Sequence, residues 1–271
     1  MKQTVDYIIS RLSDILPLSE ARETALWIME ESTGLSRTDL LSDCKDTKII
    51  PNIEIILDRL HKNEPIQYIF NHTVWMGLDL FLSPDTLIPR PETAELVEWV
   101  CAVMPAGRPL RVLDIGTGSG CIAIALKQRR PNWQVSGLDV SEGALQIAGK
   151  NAVRNDVAID WIKADILSDE IGTFDVIVSN PPYVCESEKQ DMENKVLDYE
   201  PASALFVPDD NPLLFYRRII GMKAAPIVFF EVNERFAEDV EKLMANAGYV
   251  STEIKQDMYG KQRMVCGRIE K

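Results

Sequence analysis

Residues 111–125 read RVLDIGTGSGCIAIA, and the fold follows from how that stretch divides. Arg111 to Ile115 is an apolar strand, Gly116-Thr117-Gly118-Ser119-Gly120 is a loop with glycine at alternate positions, and the apolar run from Cys121 opens a helix. Glycines in such a loop let the backbone turn sharply and come close to a ligand where side chains would forbid it. A dinucleotide loop needs its third glycine one residue later, so that a helix N-terminus faces a pyrophosphate. Asp114, at the head of the loop, argues the same way, because a carboxylate beside the ligand repels pyrophosphate and attracts a cation. The loop therefore favours a positively charged ligand.

Downstream, further strands are expected near 135–139, 159–163, 175–179, 226–232, 249–256 and 262–268, with helical patterns between most of them. Together with 110–114 they make an α/β fold, a doubly wound and mostly parallel seven-stranded sheet with helices on both faces. Only the Met258-Tyr259-Gly260 turn joins the last two strands, so one of that pair must run antiparallel. Upstream, a helix carrying Leu96, Val97, Val100, Val103 and Met104 begins at Glu92. Residues 64–91 hold short β-like runs (Ile66 to Phe70, Val74 to Met76, Leu80 to Leu82) broken by Asn71, Gly77, Pro84, Pro89 and Pro91, which predicts a hairpin linker. Before it lie four helices. The first carries Val5, Ile8, Ile9, Leu12, Ile15 and Leu16; the second has Ser19 as its N-cap and ends at Gly34; Ser36 and Asp39 form a capping box for the third; the fourth follows Pro51 and Asn52. The expected domains are a helical bundle for substrate docking over 1–63, the linker over 64–91 and a catalytic domain over 92–271.

Acids recur at the strand ends. Asp139 closes the second strand of the sheet, 19 residues beyond Gly120, where a carboxylate can accept both hydroxyls of a ribose. Asp165 follows the third strand and can take an adenine amino group, with Ile166 against the ring. With a cation-seeking loop, this set suits S-adenosylmethionine. The fourth strand ends in Asn180-Pro181-Pro182-Tyr183. Its two prolines fix the backbone and remove donors, leaving the Asn180 side-chain oxygen and the Pro181 carbonyl as acceptors for the two hydrogens of one NH2 group. Tyr183 is expected to lie against a planar substrate. A conjugated NH2 nitrogen is a poor nucleophile, and it must be held in line and polarised to attack.

These motifs resemble those of methyltransferases of planar amino nitrogens, and more narrowly the HemK-type (PrmC-type) release-factor glutamine methyltransferases. The narrower resemblance rests on Glu64-Pro65-Ile66-Gln67-Tyr68, Leu87-Ile88-Pro89-Arg90-Pro91-Glu92-Thr93, and Tyr199-Glu200-Pro201 with Ala204-Leu205. It implies a class I S-adenosylmethionine-dependent catalytic domain after a helical domain and a hairpin. It also implies methylation of the Gly-Gly-Gln glutamine of class I peptide chain release factors, with S-adenosylhomocysteine as product and no metal. By resemblance, Gly116, Thr117, Gly118, Ser119, Gly120, Asp139, Asp165, Ile166 and Asn180 form the cofactor pocket, and Asn180, Pro181, Pro182 and Tyr183 the glutamine pocket. Arg90 and Glu92 belong to a segment that walls the site, where either orders the wall by pairing. Two positions depart from the family pattern, Asn71 for a glycine and Ala94 for an acid.

Bulk properties bound the rest. A chain of 271 residues, 46% hydrophobic and 26% charged, can bury a large core. The net charge of −13 is spread along the chain, with 8 basic against 13 acidic residues over 1–83 and 21 against 29 over 84–271. Direct binding of nucleic acid normally needs a basic footprint, so transfer to an adenine amino group of DNA or RNA, which the same pocket chemistry allows, is the alternative reading. No membrane segment or signal peptide is read, so a cytoplasmic enzyme is expected; a monomer is the separate expectation for its assembly. Cys44, Cys101, Cys121, Cys185 and Cys266 are scattered, without a C-x-x-C pair, and read as reduced thiols; His61 and His72 read as structural.

Overall fold

A computed structural model of the chain describes residues 2–41 and 50–269, which leaves Cys44 outside the described residues. They form two compact units, Met1–Asn71 and His72–Lys271. In the first, α1 (Lys2–Leu12), α2 (Leu18–Thr33), α3 (Arg37–Leu41), α4 (Ile53–His61) and α5 (Ile66–Phe70) surround a core that includes Ile8, Leu12, Ala25, Ile28, Met29 and Leu57. The residue before α2 is Pro17, whose carbonyl accepts the Ala21 N–H at 2.9 Å, so Ser19 sits inside the first turn and does not cap the helix as predicted. Proline suits a helix start because its missing N–H has no helical partner to lose. Gly34 ends α2 in the left-handed region, and Ser36 and Asp39 bond each other's backbone N–H as a capping box.

The predicted β-like run Ile66 to Phe70 is corrected to the helix α5. Ile66, Ile69 and Phe70, at helical spacing, pack on the core of this unit, Tyr68 is also buried, and Pro65 precedes the first turn. Asn71 closes the helix with φ of 53°, a left-handed conformation that asparagine tolerates better than other side-chain-bearing residues. Here the asparagine does what a glycine would do.

The second unit opens with the hairpin β1 (His72–Trp75) and β2 (Leu78–Phe81), followed by α6 (Pro91–Val103). The seven-stranded sheet contains β3 (Arg111–Ile115), β4 (Gln134–Asp139), β5 (Asp160–Lys163), β6 (Val176–Ser179), β9 (Ile227–Glu231), β10 (Ser251–Gln256) and β11 (Gln262–Arg268), in the order β10-β11-β9-β6-β3-β4-β5. Of these described strands only β11 runs against its neighbours, which meets the expectation drawn from the short final turn. A small parallel pair, β7 (Val184–Cys185) and β8 (Phe206–Val207), lies outside the main sheet, with α9 (Asn194–Tyr199) between its strands.

Helices cover both faces. On one, α6 and α7 (Cys121–Arg129) bury Leu96, Val100, Ile122 and Leu126 with Val112, Val176 and Phe229. On the other, α10 (Leu214–Met222) and α11 (Ala237–Asn246) bury Ile219, Ile220, Val240 and Met244 with Leu113, Ile177 and Val228. The central parallel strands β3, β6 and β9 are therefore apolar on both faces, as strands between two helical layers must be. The hairpin joins this unit through Trp75, Leu78 and Leu80, buried in the α6–α7 core, and through Asn151 of α8 (Glu142–Arg154), which bonds the backbone of Phe81 and the carbonyl of Ser119. The strand order reverses between β3 and β6, where loops diverge at the carboxyl edge and leave a crevice.

Candidate functional site

A cavity of about 330 Å³ occupies that crevice. Its floor is the glycine loop. Gly116 and Thr117 both donate to the Leu138 carbonyl, at 2.8 and 3.0 Å, which ties the loop to β4. Gly116 has φ of 72°, and a Cβ there would come within 3.9 Å of the Asn180 carbonyl. Gly120 serves a different end. With φ of 81° it starts α7 but does not line the cavity, and a Cβ on it would meet Ala148 and Trp161 at 3.1 Å.

Asp139 stands half-buried at the end of β4 and faces the cavity. Its two oxygens accept the N–H groups of Gly118 and Ser141, each at 2.9 Å. Burial pushes its carboxyl up, while these backbone donors pull it down. Each oxygen keeps a lone pair for a ligand. Asp165 accepts the Leu167 N–H at 2.9 Å and shares the same wall with buried Ile166.

Asp114 does not reach the cavity, contrary to the sequence reading. On a strand, Asp114 points to the same face as Val112, the face covered by α7, so its side chain lies beneath the loop and accepts the Thr117 hydroxyl at 2.6 Å. It is fully buried, and that burial pushes its carboxyl up to about 7. The preference for a cation survives on other residues. Asp85, Asp139 and Asp165 line the cavity, and Arg90, the one basic side chain of the lining among the described residues, is paired with buried Glu200 at 2.7 Å. The same Glu200 accepts the Ile88 N–H, so the segment 87–93 is pinned to the Tyr199-Glu200-Pro201 segment as the cavity's outer wall.

Asn180, Pro181 and Pro182 line the cavity beside the loop. The Asn180 side-chain NH2 donates to the Thr93 hydroxyl at 3.2 Å, so that side chain has one fixed partner. Thr93 donates in turn to Glu231 at 2.7 Å, and the Tyr183 hydroxyl donates to the other Glu231 oxygen at 3.1 Å. Tyr183 therefore does not border the cavity; its ring packs among the α10–α11 core residues. Glu92, in the first turn of α6, also lies off the lining. Sequence reasoning missed Thr93, Glu200 and Glu231 as partners. One signal existed, an acid closing the apolar run Ile227-Val228-Phe229-Phe230-Glu231 at the same sheet edge as the other candidates.

Chemically, the cavity offers carboxylates for hydroxyl, amino and sulfonium groups and an apolar wall for a ring, and among the described residues that line it no unpaired basic side chain waits for a phosphate. Such a donor set fits S-adenosylmethionine. Neither His61 nor His72 lines it; the first contacts the Leu57 carbonyl and Asp14, the second Asp79. Among the described residues no group of three or more His, Cys, Asp and Glu could hold a metal ion, and no helix is long and apolar enough to cross a membrane.

Residues 98–204 match the methyltransferase small domain family, and residues 3–70 match the PrmC N-terminal domain. The chain is 41% identical to a release factor glutamine methyltransferase of Bacteroides thetaiotaomicron over 98% of its own length and 99% of the relative's. It is 40% identical to one from Flavobacterium psychrophilum over 95% of each chain. Among solved structures, the E. cuniculi Mtq2-Trm112 complex, responsible for methylation of the eRF1 translation termination factor, superposes with a TM-score of 0.51 at 20% identity, covering 69% of this chain and 99% of that one. At that identity the likeness speaks for the fold alone.

Proposed function

This chain belongs to the release factor glutamine methyltransferase family, and we propose that it moves a methyl group from S-adenosylmethionine to the side-chain amide nitrogen of the Gly-Gly-Gln glutamine of a peptide chain release factor. The observation that carries this reading is the Asn180 carboxamide on the cavity wall, its NH2 tied to Thr93 and Pro181 beside it. S-adenosylmethionine, when bound, brings a methyl group on a sulfonium leaving group. Gly116 to Ser119, Asp139, Asp165 and Ile166 would hold it, each lining the cavity.

The chain's own residues do the remaining work by position and polarity. The Asn180 side-chain oxygen and the Pro181 carbonyl each accept one hydrogen of the glutamine NH2. Acceptance of both hydrogens fixes the plane of the amide and returns electron density to a nitrogen whose lone pair is otherwise drawn into the carbonyl. Those same two oxygens would give the proton that methylation makes acidic a hydrogen-bonded path away from the nitrogen and on to solvent water. No strong base is then needed.

The walls favour a neutral planar amide over an adenine in nucleic acid, because the cavity rim is acidic and Arg90 is already paired. A release factor substrate puts the reaction in the cytoplasm, with the protein as a monomer on its substrate. Asn180→Ala should lower kcat by roughly 100-fold or more while calorimetry still detects cofactor binding; near-normal turnover of that variant sinks the assignment.

A further inference from the structure

We propose that Glu231 is a positioning residue for methyl transfer, setting through the Thr93 hydroxyl which way the Asn180 carboxamide faces and holding Tyr183 at the other end of the same tetrapeptide. This rests on the reading of Asn180 as acceptor of the substrate NH2. Glu231 ends β9, one step beyond the Ser179–Phe230 pair that joins β6 to β9, so it stands beside the start of Asn180-Pro181-Pro182-Tyr183. It is 1% exposed. A carboxyl group in that place is costly unless hydrogen bonds or charge offset its lost hydration. Two hydroxyls do so, Thr93 at 2.7 Å and Tyr183 at 3.1 Å, and the Tyr216 hydroxyl fixes the residue's own backbone carbonyl at 3.0 Å.

The supply of hydrogens then sets the direction of every bond in the chain. An ionised carboxylate only accepts, so Thr93 must spend its single hydroxyl hydrogen on Glu231. Toward Asn180 the same hydroxyl shows only lone pairs, and the carboxamide can satisfy it only with its NH2, at 3.2 Å. The Asn180 oxygen is thereby left on the branch away from Thr93. A primary amide has two ends of nearly equal shape and opposite polarity, and packing alone cannot choose between them. The buried acid makes the choice. Burial pushes the Glu231 carboxyl up, the Glu92 charge adds to the rise, and the Thr93 and Tyr183 hydroxyls and the nearby Arg263 guanidinium oppose it.

A glutamine in place of Glu231 would keep the volume but offer one acceptor and one donor. Either hydroxyl could then reverse; a reversed Thr93 would aim its hydrogen at Asn180 and turn the carboxamide over, bringing an NH2 to the place where the substrate needs an oxygen. This distinguishes a positioning role from plain stability, because the glutamine variant can remain packed and still mis-set Asn180.

The test is steady-state methylation of a purified release factor by Glu231→Gln, Thr93→Val and Thr93→Ser, with cofactor affinity by calorimetry and folding by thermal melting. Glu231→Gln and Thr93→Val should lose roughly 10- to 100-fold in kcat with cofactor affinity unchanged, and Thr93→Ser, which keeps the hydroxyl, should recover most of the loss. Thr93→Val added to Asn180→Ala should cost nothing further, since both act through one carboxamide. Wild-type kcat in both Glu231→Gln and Thr93→Val overturns the inference, as does a full Thr93→Val loss on top of Asn180→Ala. If Glu231→Gln does not fold, the Thr93 and Asn180 cycle decides alone. A wild-type protein that leaves the release factor unmethylated would instead overturn the proposed function.

Discussion

Asp114 and Asp139 are acids near the carboxyl ends of adjacent parallel strands, and their surroundings give them opposite uses. Asp139 faces the cavity with backbone N–H groups on both oxygens, whereas Asp114 is sealed under α7. Asp114 should show itself in stability. Its carboxyl, ordinarily at 3.8, sits at about 7 in the folded chain, so between those values the folded state holds a proton that the unfolded state has released. The stabilisation from that proton is complete below 3.8 and is lost as pH rises to about 7. Asp114→Asn, which needs no proton, should therefore gain on the wild type in melting temperature as pH climbs through that window; melting curves that keep a constant separation would contradict the buried assignment. The places of Asp139, Asp165 and Asn180 on the cavity wall could be read from the sequence, because strand ends in a doubly wound sheet open onto the crevice at its carboxyl edge. The side of the strand on which Asp114 lies could not, because the chain turns into the loop directly after Ile115 and the pleat, not the position, decides which face the carboxylate takes.

Among the secondary-structure elements, the central strands of the main sheet were legible as apolar runs bounded by turns, as Val176 to Ser179 and Ile227 to Glu231 illustrate, whereas the edge strands β5 and β10 are largely polar. The helix Ile66–Phe70 was not, since five residues give too little length to separate a helical from a strand period. The glycine loop was legible as a motif, but its glycines do unlike things. Gly120→Ala should cost about 3 kcal/mol, combining backbone strain with overpacking against Ala148, Trp161 and Ile124 at 3.1 to 3.2 Å. Gly116→Ala has only strain to bear, about 1–2 kcal/mol, because the nearest atom to its added Cβ is the Asn180 carbonyl at 3.9 Å. Urea denaturation of the two variants checks this order. Equal losses would mean that Gly120 is not the packing glycine.

Taken through the full chain, the site is assembled from distant parts of the sequence. Thr93 reaches Glu231 across 138 positions and Arg90 reaches Glu200 across 110, and no local pattern foretells such pairs. The strand order that makes them possible reverses beside β3, and there the loops after β3 and β6 open onto one cavity. Around that cavity the acids outnumber the bases, in keeping with a chain of net charge −13. An NH2 on a protein side chain suits such a rim better than one buried in a phosphate-rich duplex. The decisive experiment is peptide mass spectrometry of a purified release factor incubated with this protein and S-adenosylmethionine, alongside DNA and RNA under the same conditions. One added methyl group should appear on the Gly-Gly-Gln peptide, localised to the glutamine; a label found only in the nucleic acid, with that peptide unmodified, would refute glutamine methylation by this site.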